Sequence, residues 1–225
     1  MTDTNDGDSA TAASDRGGGL PPETRIGRAA LRVADLDEAV AFYRDVVGLS
    51  VLDRNDGRAT LGAGGAPLLV LERDADAPDR ERSDAGLFHT AFRVPSRAAL
   101  GEALARVREG WRLDGASDHL VSEAVYVDGL GFATGMSGPD VRFVAAGGYH
   151  HHLGANTWRG RTTPAGGRGL AWFEVVVPDV AALDAVRTRL DAVAAEGDAE
   201  FAVAERDDGI VVTDTDGIEV RVLTE

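Results

Sequence analysis

Residues 26–48, IGRAALRVADLDEAVAFYRDVVG, decide the fold of this chain. Residues 26–33 have the composition of a strand, and the residues after them place apolar side chains at helical spacing. Asp35 is positioned to cap this helix, with Glu38 three residues later as in a capping box, and Gly48 is positioned to end it. Further strands are predicted at residues 50–53, 58–62 and 67–72. The order of elements in this first unit is therefore βαβββ.

The opening of this unit occurs twice more along the chain. Phe88–Val94 is a predicted strand, Ser96 a predicted cap, and an amphipathic helix follows. Phe173–Val177 and Asp179 begin a third unit in the same way. A unit that recurs three times predicts a repeat protein built from βαβββ modules.

One of these modules is irregular. A shift of 83 positions aligns 43–48 with 126–131 and 63–65 with 146–148, but residues 114–125 lack a strand-and-helix opening. The sequence therefore predicts a hybrid that joins the front of one module to the back of another near Tyr126. The predicted divisions are an acidic, disordered tail at 1–22, a first module at 23–80, the hybrid at 84–160 and the last module at 168–225.

The composition excludes several classes of function. The net charge of −15 argues against a nucleic-acid partner, because phosphate binding requires clustered cations. The chain has no cysteine, which excludes thiol nucleophiles, disulfides and zinc ribbons. It also has no apolar run long enough to span a bilayer and no signal-peptide pattern, so a cytoplasmic location is expected. The acidic composition, with arginine but no lysine, suggests adaptation to high salt, and a high-GC genome explains the arginine equally well.

The histidines are the main candidates for chemistry. All of them lie in the middle of the chain, at His89, His119, His150, His151 and His152. His89 opens the strand of the second unit, where the first unit has Arg28 and the last has Trp172. Imidazole groups of this kind are expected to face either a substrate or a metal ion.

A strand predicted over residues 148–154 would place His150 and His152 on one face and His151 on the other. Glu219 lies within one residue of the slot that aligns with His150 in the last module. Two imidazoles and a carboxylate on neighbouring strands can form the facial triad that holds ferrous iron with open positions. The candidate metal ligands are His89, His150, His152 and Glu219. The alternative is that each histidine is a hydrogen-bonded residue of the core or cleft.

A second group of residues could transfer protons. His119 lies in the polar cluster 118–123, where it could act as an acid or base or take part in a capped turn. His151 and Tyr149 are the other candidate catalytic residues.

Four stretches extend these observations: LFHTAF (87–92), LDGASDHLVSEAVY (113–126), FVAAGGYHHHLGANTW (143–158) and GLAWFE (169–174). Together with the modules they resemble the vicinal-oxygen-chelate superfamily of glyoxalases, bleomycin-resistance proteins and extradiol dioxygenases, in particular its catechol-2,3-dioxygenase-like branch. The resemblance implies an α+β fold in which βαβββ modules form half-barrel β cups, the glyoxalase/extradiol dioxygenase fold.

The chain departs from that branch near Tyr126, which is the point from which the 83-position alignment holds. In the branch, the stretch that matches 122–126 continues into an Asp-Pro-x-Gly-Asn-Gly-Ile-Glu strand with a metal-binding glutamate, and a Gly-His-Val-His strand follows later. Here Tyr126 and Val127 lead directly into Asp128. By position, only His89 matches an expected ligand, while Glu219 fits the general carboxylate slot of the superfamily.

The resemblance implies a ring-cleaving dioxygenase, or a degenerate relative of one, that acts on a small aromatic compound with Fe(II). Mn(II), another divalent metal or no metal are the alternatives for the cofactor. The alternative functions are a metal-free small-molecule-binding protein of the bleomycin-resistance type and a glyoxalase-like lyase or isomerase. An odd number of modules leaves sheet edges unpaired, so a homodimer is also expected.

Overall fold

The computed structural model of the chain describes residues 19–81, 83–87, 90–110, 124–156, 163–197 and 199–225. The first module has the predicted order, with a helix that continues as a π-helical turn, π1. Its elements are β1 (Arg25–Val33), α1 (Leu36–Ala41), π1 (Phe42–Val47), β2 (Ser50–Arg54), β3 (Arg58–Ala63) and β4 (Ala66–Arg73).

The predicted caps of the first helix are present. The side chain of Asp35 accepts a hydrogen bond from the Glu38 backbone N–H at 2.9 Å, which satisfies one of the free amides of the first turn. Gly48 ends the helical segment with a φ of 92°, a left-handed conformation that glycine adopts without a steric penalty. These local signals fix both ends of the helix.

The last module repeats the arrangement with a longer helix. Its elements are β8 (Gly169–Val177), α3 (Val180–Glu196), β9 (Ala202–Arg206), β10 (Gly209–Thr213) and β11 (Glu219–Thr224). The Asp179 side chain caps α3 by accepting from the Ala182 backbone N–H at 2.8 Å. The 214–217 segment is a tight turn between β10 and β11, closed by a bond from the Gly217 N–H to the Asp214 carbonyl.

The two whole modules share one sheet. Its eight strands have the order β2-β3-β4-β1-β8-β11-β10-β9. The first strand of each module pairs in parallel with the last strand of that module, and β1 and β8 join the modules in antiparallel orientation. The helices cover one face of this sheet: Phe173, Val175 and Val177 of β8 pack in one core with α3, while Leu69 and Leu71 of β4 pack in another with α1. The opposite face forms the cup of the fold.

The hybrid region contains two helical segments and a separate sheet. The helical segments are α2 (Arg97–Gly110) and a second π-helical turn, π2 (Ala124–Gly129). The strands of the sheet are β5 (Ala133–Gly138), β6 (Val141–Ala145) and β7 (Leu153–Asn156). The strands form a three-stranded antiparallel sheet in the order β5-β6-β7. The end of a helix followed by three strands is what the shifted alignment predicts for this stretch.

The strand predicted at 88–94 is not present in its described part, residues 90–94; residues 88 and 89 lie outside the described residues. Phe92 packs instead against the core of the first module. In the whole modules the corresponding strands β1 and β8 each have neighbours on both sides. The alternating pattern alone did not produce a strand, because a strand requires a partner for its backbone groups.

The two halves of the hybrid region pack against different modules. In the front half, Arg106 of α2 donates to the Val47 carbonyl of π1 at 3.3 Å. In the back half, Arg189 of α3 donates to the Leu130 carbonyl at 3.0 Å, and Tyr126 donates to Asp214. The described front and back halves are therefore each anchored to a different whole module, and the junction near Tyr126 stays a prediction.

The tail was predicted to extend to residue 22, but residues 19–22 already belong to the packed structure. Leu20 lies in the core of the last module and its N–H donates to the Gly131 carbonyl at 2.9 Å. The prediction of an unpacked tail is thus wrong for residues 19–22, because one apolar side chain with a backbone bond suffices to dock that end. Within the described residues, no helix is long and apolar enough to cross a membrane.

Candidate functional site

The floor of the cup is a row of residues that the sheet register brings together. Ala30 pairs with Val70 on one side and with Trp172 on the other, and Trp172 pairs with Glu219. Residues directly opposite each other in a sheet point to the same face. The row therefore combines two small apolar residues from the first module with a tryptophan and a carboxylate from the last.

A buried ion pair adjoins this row. The Arg28 Nε lies 3.1 Å and 3.0 Å from the two carboxylate oxygens of Glu174, and the Arg28 backbone N–H donates to Oε2 at 2.9 Å. The Glu174 side chain is 5% exposed and that of Arg28 is 35% exposed. The hydrogen bond that the Arg28 guanidinium donates to Glu174 is the main reason that the pKa of Arg28 is raised above its ordinary value. This carboxylate is fully engaged within the protein.

Trp172 is held by polar groups on several sides and is only 2% exposed. Its indole Nε1 donates to the carboxylate of Glu72 at 3.2 Å. The guanidinium of Arg221 stacks on the indole ring with its carbon 3.8 Å from the ring centroid, and that of Arg28 lies at 5.8 Å. Both contacts are within the range of cation–π attraction.

Glu219, a predicted metal ligand, belongs to this network. Its carboxylate accepts from the neighbouring Arg221 side chain at 3.2 Å and is 42% exposed. The first module has Arg28, and the last module has Trp172, at the position that His89 occupies in the second unit. Both residues lie in this cup. The cup therefore presents two guanidiniums and three carboxylates around an indole ring, and no imidazole among the described residues. This arrangement suits polar or aromatic contacts with a ligand better than metal coordination.

Sequence reasoning missed the other charged residues of the cup. Glu72, Glu174 and Arg221 were not predicted as site residues. Glu174 could have been found, because it stands two positions after Trp172 in an otherwise apolar strand and so shares its face. Arg221 could have been found in the same way, because it stands two positions after Glu219 in β11, whereas Glu72 has no such signal, since its place beside Trp172 depends on the strand register.

The histidine cluster lies elsewhere, in the loop between β6 and β7. Residues 148–152 precede β7, which begins only at Leu153, so the strand predicted over 148–154 is wrong for its first five residues. Strand alternation consequently does not place His150 and His152 on a shared face. The segment turns at Ala146, whose carbonyl accepts from the Tyr149 N–H at 3.2 Å.

The rings of this loop pack against one another. Tyr149 lies 4.2 Å from His150 and 4.8 Å from His152 between ring centroids. His151 contacts His150 at 4.4 Å and Phe143 of β6 at 4.9 Å. Tyr149, a predicted catalytic residue, is 42% exposed and accessible to a ligand.

His152 is the most constrained of the histidines. Its Nδ1 accepts from the Ala146 N–H at 3.2 Å, and the ring also hydrogen-bonds to the Thr24 backbone. Burial lowers the pKa of His152, and the positive charges of His150 and His151 lower it further. The neutral ring is the form that accepts from Ala146, so this histidine helps hold the loop in place.

The predicted ligand set is only partly visible. His89 and His119 lie outside the described residues. Within the residues that are described, no three His, Asp or Glu side chains converge in a way that could hold a metal ion. The loop histidines and Glu219 belong to different sheets, and the described donors alone do not make up a site for a divalent metal.

Two βαβββ modules that share a sheet and enclose a cup define the glyoxalase class of α+β folds. The family model of the Glyoxalase/Bleomycin resistance protein/Dioxygenase superfamily matches residues 25–111. A protein of Bacillus subtilis (strain 168) named catechol-2,3-dioxygenase is 31% identical over 250 residues, with 75% of this chain and 88% of the relative covered. The chain belongs to the glyoxalase/bleomycin resistance/dioxygenase superfamily.

Two solved structures show the same fold. A glyoxalase I variant from Zea mays aligns with a TM-score of 0.58 at 17% identity, covering 89% of this chain and 92% of that one. A Bacillus subtilis protein assigned as a dioxygenase aligns with a TM-score of 0.59 at 13% identity, covering 92% and 86%.

The match to the Bacillus catechol-2,3-dioxygenase also bears on the missing segment. Of the 225 residues of this chain, 75% is about 169, yet the match extends over 250 positions. About 81 of those positions therefore have no residue in this chain. This number is close to the 83-position shift that aligns Tyr43 with Tyr126.

Proposed function

We propose that this chain is an extradiol-type dioxygenase that cleaves the ring of a small aromatic compound. The similarity to the Bacillus catechol-2,3-dioxygenase, at 31% identity over 88% of that protein, is the observation on which the proposal rests. The concentration of all five histidines between residues 89 and 152 supports it, because imidazole is the side chain best suited to both metal binding and proton transfer near neutral pH.

We propose that the reaction takes place in the hybrid region and not in the cup of the whole modules. Arg28 and Trp172 occupy the cup where a ligand histidine would be needed, and Glu174 is already saturated by Arg28. His89 and His150 are the proposed metal ligands of the hybrid region. His152 and Glu219 stay candidates, but His152 must first give up its bond with Ala146 and Glu219 its bond with Arg221.

A ferrous ion, when bound, would supply open coordination positions for oxygen atoms of the substrate. The described residues do not complete a site for it, and the loop between β6 and β7 holds the groups proposed to move protons. His151 and Tyr149 are proposed to exchange protons with the substrate hydroxyls. His119 is proposed to serve as a further acid or base.

Oxygen uptake tests the proposal directly. The purified chain is loaded with Fe(II) under anaerobic conditions and then mixed with a panel of catechols in an oxygen electrode. Uptake coupled to a yellow ring-fission product is expected, and the absence of uptake across the panel would reject the activity.

Metal analysis of His89→Ala and His150→Ala, with the exposed Val203→Ala as a matched control, tests which histidines bind the metal. Metal content equal to that of the parent protein would remove the altered histidine from the ligand set.

We infer a second candidate function, metal-free binding of a small molecule in the cup, from a different observation. The cup has Arg221 and Arg28 at 3.8 Å and 5.8 Å from the Trp172 ring and exposes part of the Glu219 carboxylate. Because Arg28 and Arg221 are already paired with Glu174 and Glu219, the described residues of the cup carry no excess of positive charge, and the cup favours a flat, polar and uncharged ligand.

Calorimetric titration with uncharged, polar aromatic compounds, with and without EDTA, distinguishes the two candidates. Saturable binding that survives EDTA and is lost in Arg221→Met, but retained in the distant control Arg187→Met, would support the metal-free function. Binding that requires Fe(II) and is unchanged in Arg221→Met would contradict it.

A further inference from the structure

The side of the sheet that faces the helix is built in the same way in both whole modules. Two cross-strand pairs occupy this side: Ala59 with Leu71 and Leu61 with Leu69 in the first module, and Ile210 with Val222 and Val212 with Val220 in the last. All of these residues are fully buried, and each set packs with the helix of its own module. An unbroken apolar contact between helix and sheet therefore characterises a whole module.

The three-stranded sheet of the hybrid region differs from this pattern at the same positions. Its corresponding pairs are Arg142 with Ala155 and Val144 with Leu153. Val144 packs in the core with π2, and Arg142 lies two positions from it on the same side of β6. A cation thus stands where the first module has Ala59, and the small Ala155 stands where it has Leu71.

The residues that cover this side in the first module are not repeated in the sequence of the hybrid. In the first module, Leu36 and Val40 of α1 pack on the sheet. The 83-position alignment places His119 and Glu123 opposite them, and neither is apolar. The described helical cover of the three-stranded sheet begins at Ala124, the first residue of π2. The hybrid sequence therefore retains the sheet side of this core and not the two apolar residues that cover it.

A cavity of about 180 Å³ lies at this place, between π2 and the strands β6 and β7, and we call it the helix-side cavity. Its aliphatic lining consists of Val127, Val144, Leu153 and Ala155. Arg142 and Asp140 add one charge of each sign to the lining. Ligand sites in proteins are concave and mostly apolar with a few polar groups, and a cavity of about 150 Å³ admits benzene. The helix-side cavity thus has the size and the lining of a site for a small molecule.

We propose that the helix-side cavity binds a small, uncharged alcohol with a compact apolar body, of the size of a six-carbon ring. The aliphatic residues contact the body of the ligand. A hydroxyl group both accepts and donates hydrogen bonds, so it can accept from Arg142 and donate to Asp140. Both residues have interactions of their own within the protein. Because a guanidinium has five N–H donors and a carboxylate has two oxygen atoms, each can bond a ligand as well.

Charge and shape select this class of ligand. Because the charges of Arg142 and Asp140 cancel, an ionised ligand would leave its own charge unpaired in a largely apolar cavity. The cup of the whole modules is a different place, since it lies in the other sheet and is formed around Trp172. A compact aliphatic alcohol also lacks the flat shape that the cup favours. Binding in the helix-side cavity is therefore independent of ring cleavage and of ligand binding in the cup.

Ligand-observed NMR with cyclohexanol, in the presence of EDTA, provides the first test, and saturable binding to the full chain is expected. Ala155→Leu restores the side chain that the first module has at this position, fills the cavity and should weaken binding at least about tenfold. Ala204→Leu, on the exposed strand β9, is the matched control and should leave binding unchanged. Circular dichroism checks that both variants are folded. No saturable binding to the parent chain, or equal binding by the two variants, would overturn the proposal.

Two charge variants provide the second test, which also decides the matter if Ala155→Leu does not fold. The parent chain should bind cyclohexanol more tightly than cyclohexanone, because only the alcohol can donate a hydrogen bond to Asp140. Asp140→Ala should abolish this preference, and Arg142→Met should weaken the binding of both compounds at least about tenfold. A preference that persists in Asp140→Ala, or binding that resists Arg142→Met, would contradict the inference. Loss of binding in Arg221→Met would also contradict it, since that result would place the ligand in the cup.

Discussion

The hydroxyl of Tyr126 ties the hybrid region to the last module, and Tyr126→Phe removes that contact alone. The hydroxyl donates to Asp214 Oδ2 at 2.9 Å, and both side chains are buried. The other oxygen of Asp214 accepts from the backbone N–H groups of Asp216 and Ile218 at 3.0 Å and 2.8 Å, which shapes the turn between β10 and β11. Because phenylalanine keeps the ring and its contact with Phe173, the change creates no large cavity.

The expected cost follows from the character of this hydrogen bond. A bond to a charged group contributes about 1.5–3 kcal/mol, and its loss leaves a buried carboxylate oxygen without that partner. For a protein of this size, 1 kcal/mol corresponds to about 2–4 °C in melting temperature, so a decrease of about 3–12 °C is expected.

The effect also has a defined pH dependence. Burial is the main cause of the raised pKa of Asp214, and the hydrogen bonds from Ile218 and Tyr126 act in the opposite direction. The pKa of Asp214 is higher in the folded protein than in the unfolded chain. Asp214 therefore stabilises the fold at pH values below its ordinary pKa, and this contribution is lost as the pH rises through its pKa in the folded protein. Without the Tyr126 hydroxyl, the pKa of Asp214 in the folded protein rises further. The loss of stability in Tyr126→Phe should therefore be larger near pH 7 than near pH 4.

Urea unfolding at several pH values measures this difference. Tyr43→Phe is the matched control, since Tyr43 is the counterpart of Tyr126 in the first module and burial alone raises the pKa of its hydroxyl, with no contribution from a carboxylate. The control should lose less than about 0.5 kcal/mol and show no comparable pH dependence. A Tyr126→Phe protein as stable as the control, or equally destabilised at both pH values, would refute the reasoning.

Three further predictions concern the cup and its hairpins. Arg28→Met should lower the free energy of unfolding by about 2–4 kcal/mol, because Glu174 is left buried without its cation, and the double variant Arg28→Met/Glu174→Leu should recover most of that loss in urea denaturation. Arg221→Ala should shift the fluorescence of Trp172 to longer wavelength by removing the guanidinium stacked on its ring; an unchanged emission maximum would argue against this stacking. Gly209→Ala should abolish soluble expression or cost more than about 2 kcal/mol, because a Cβ there would lie 2.0 Å from the Val222 carbonyl oxygen at a φ of 156°, and wild-type stability would contradict the close approach.

Much of the fold could be predicted from local signals. The caps at Asp35 and Asp179 act through side-chain bonds to residues three positions away, so the residues that decide them are adjacent in the chain. The alternation of β8 and the spacing in α3 are likewise local. The junction predicted near Tyr126 rests on the comparison of a repeat with itself, and it stays a prediction.

The failures have a common physical cause. Residues 90–94 have the pattern of a strand but no strand neighbour among the described residues, so their backbone groups cannot join a ladder. His150 to His152 also have a strand-like context, yet the segment turns, and the Ala146 N–H bonds to the His152 ring. In both cases local pattern indicated a strand that only a paired neighbour could stabilise.

The sequence alone determined the type of module, both ends of the helical segment of the first module, the start of α3 and the concentration of histidines in the middle of the chain. The tertiary structure decided which side chains meet. Arg28 and Glu174 are 146 positions apart, and Trp172 and Glu72 are 100 apart. Their contacts exist because β1 pairs with β8 on one side and with β4 on the other, each at one register, and a shift of one residue would turn these side chains to the opposite face. Periodicity fixes the face of a residue within its own strand, whereas the identity of its neighbours depends on pairing between distant strands.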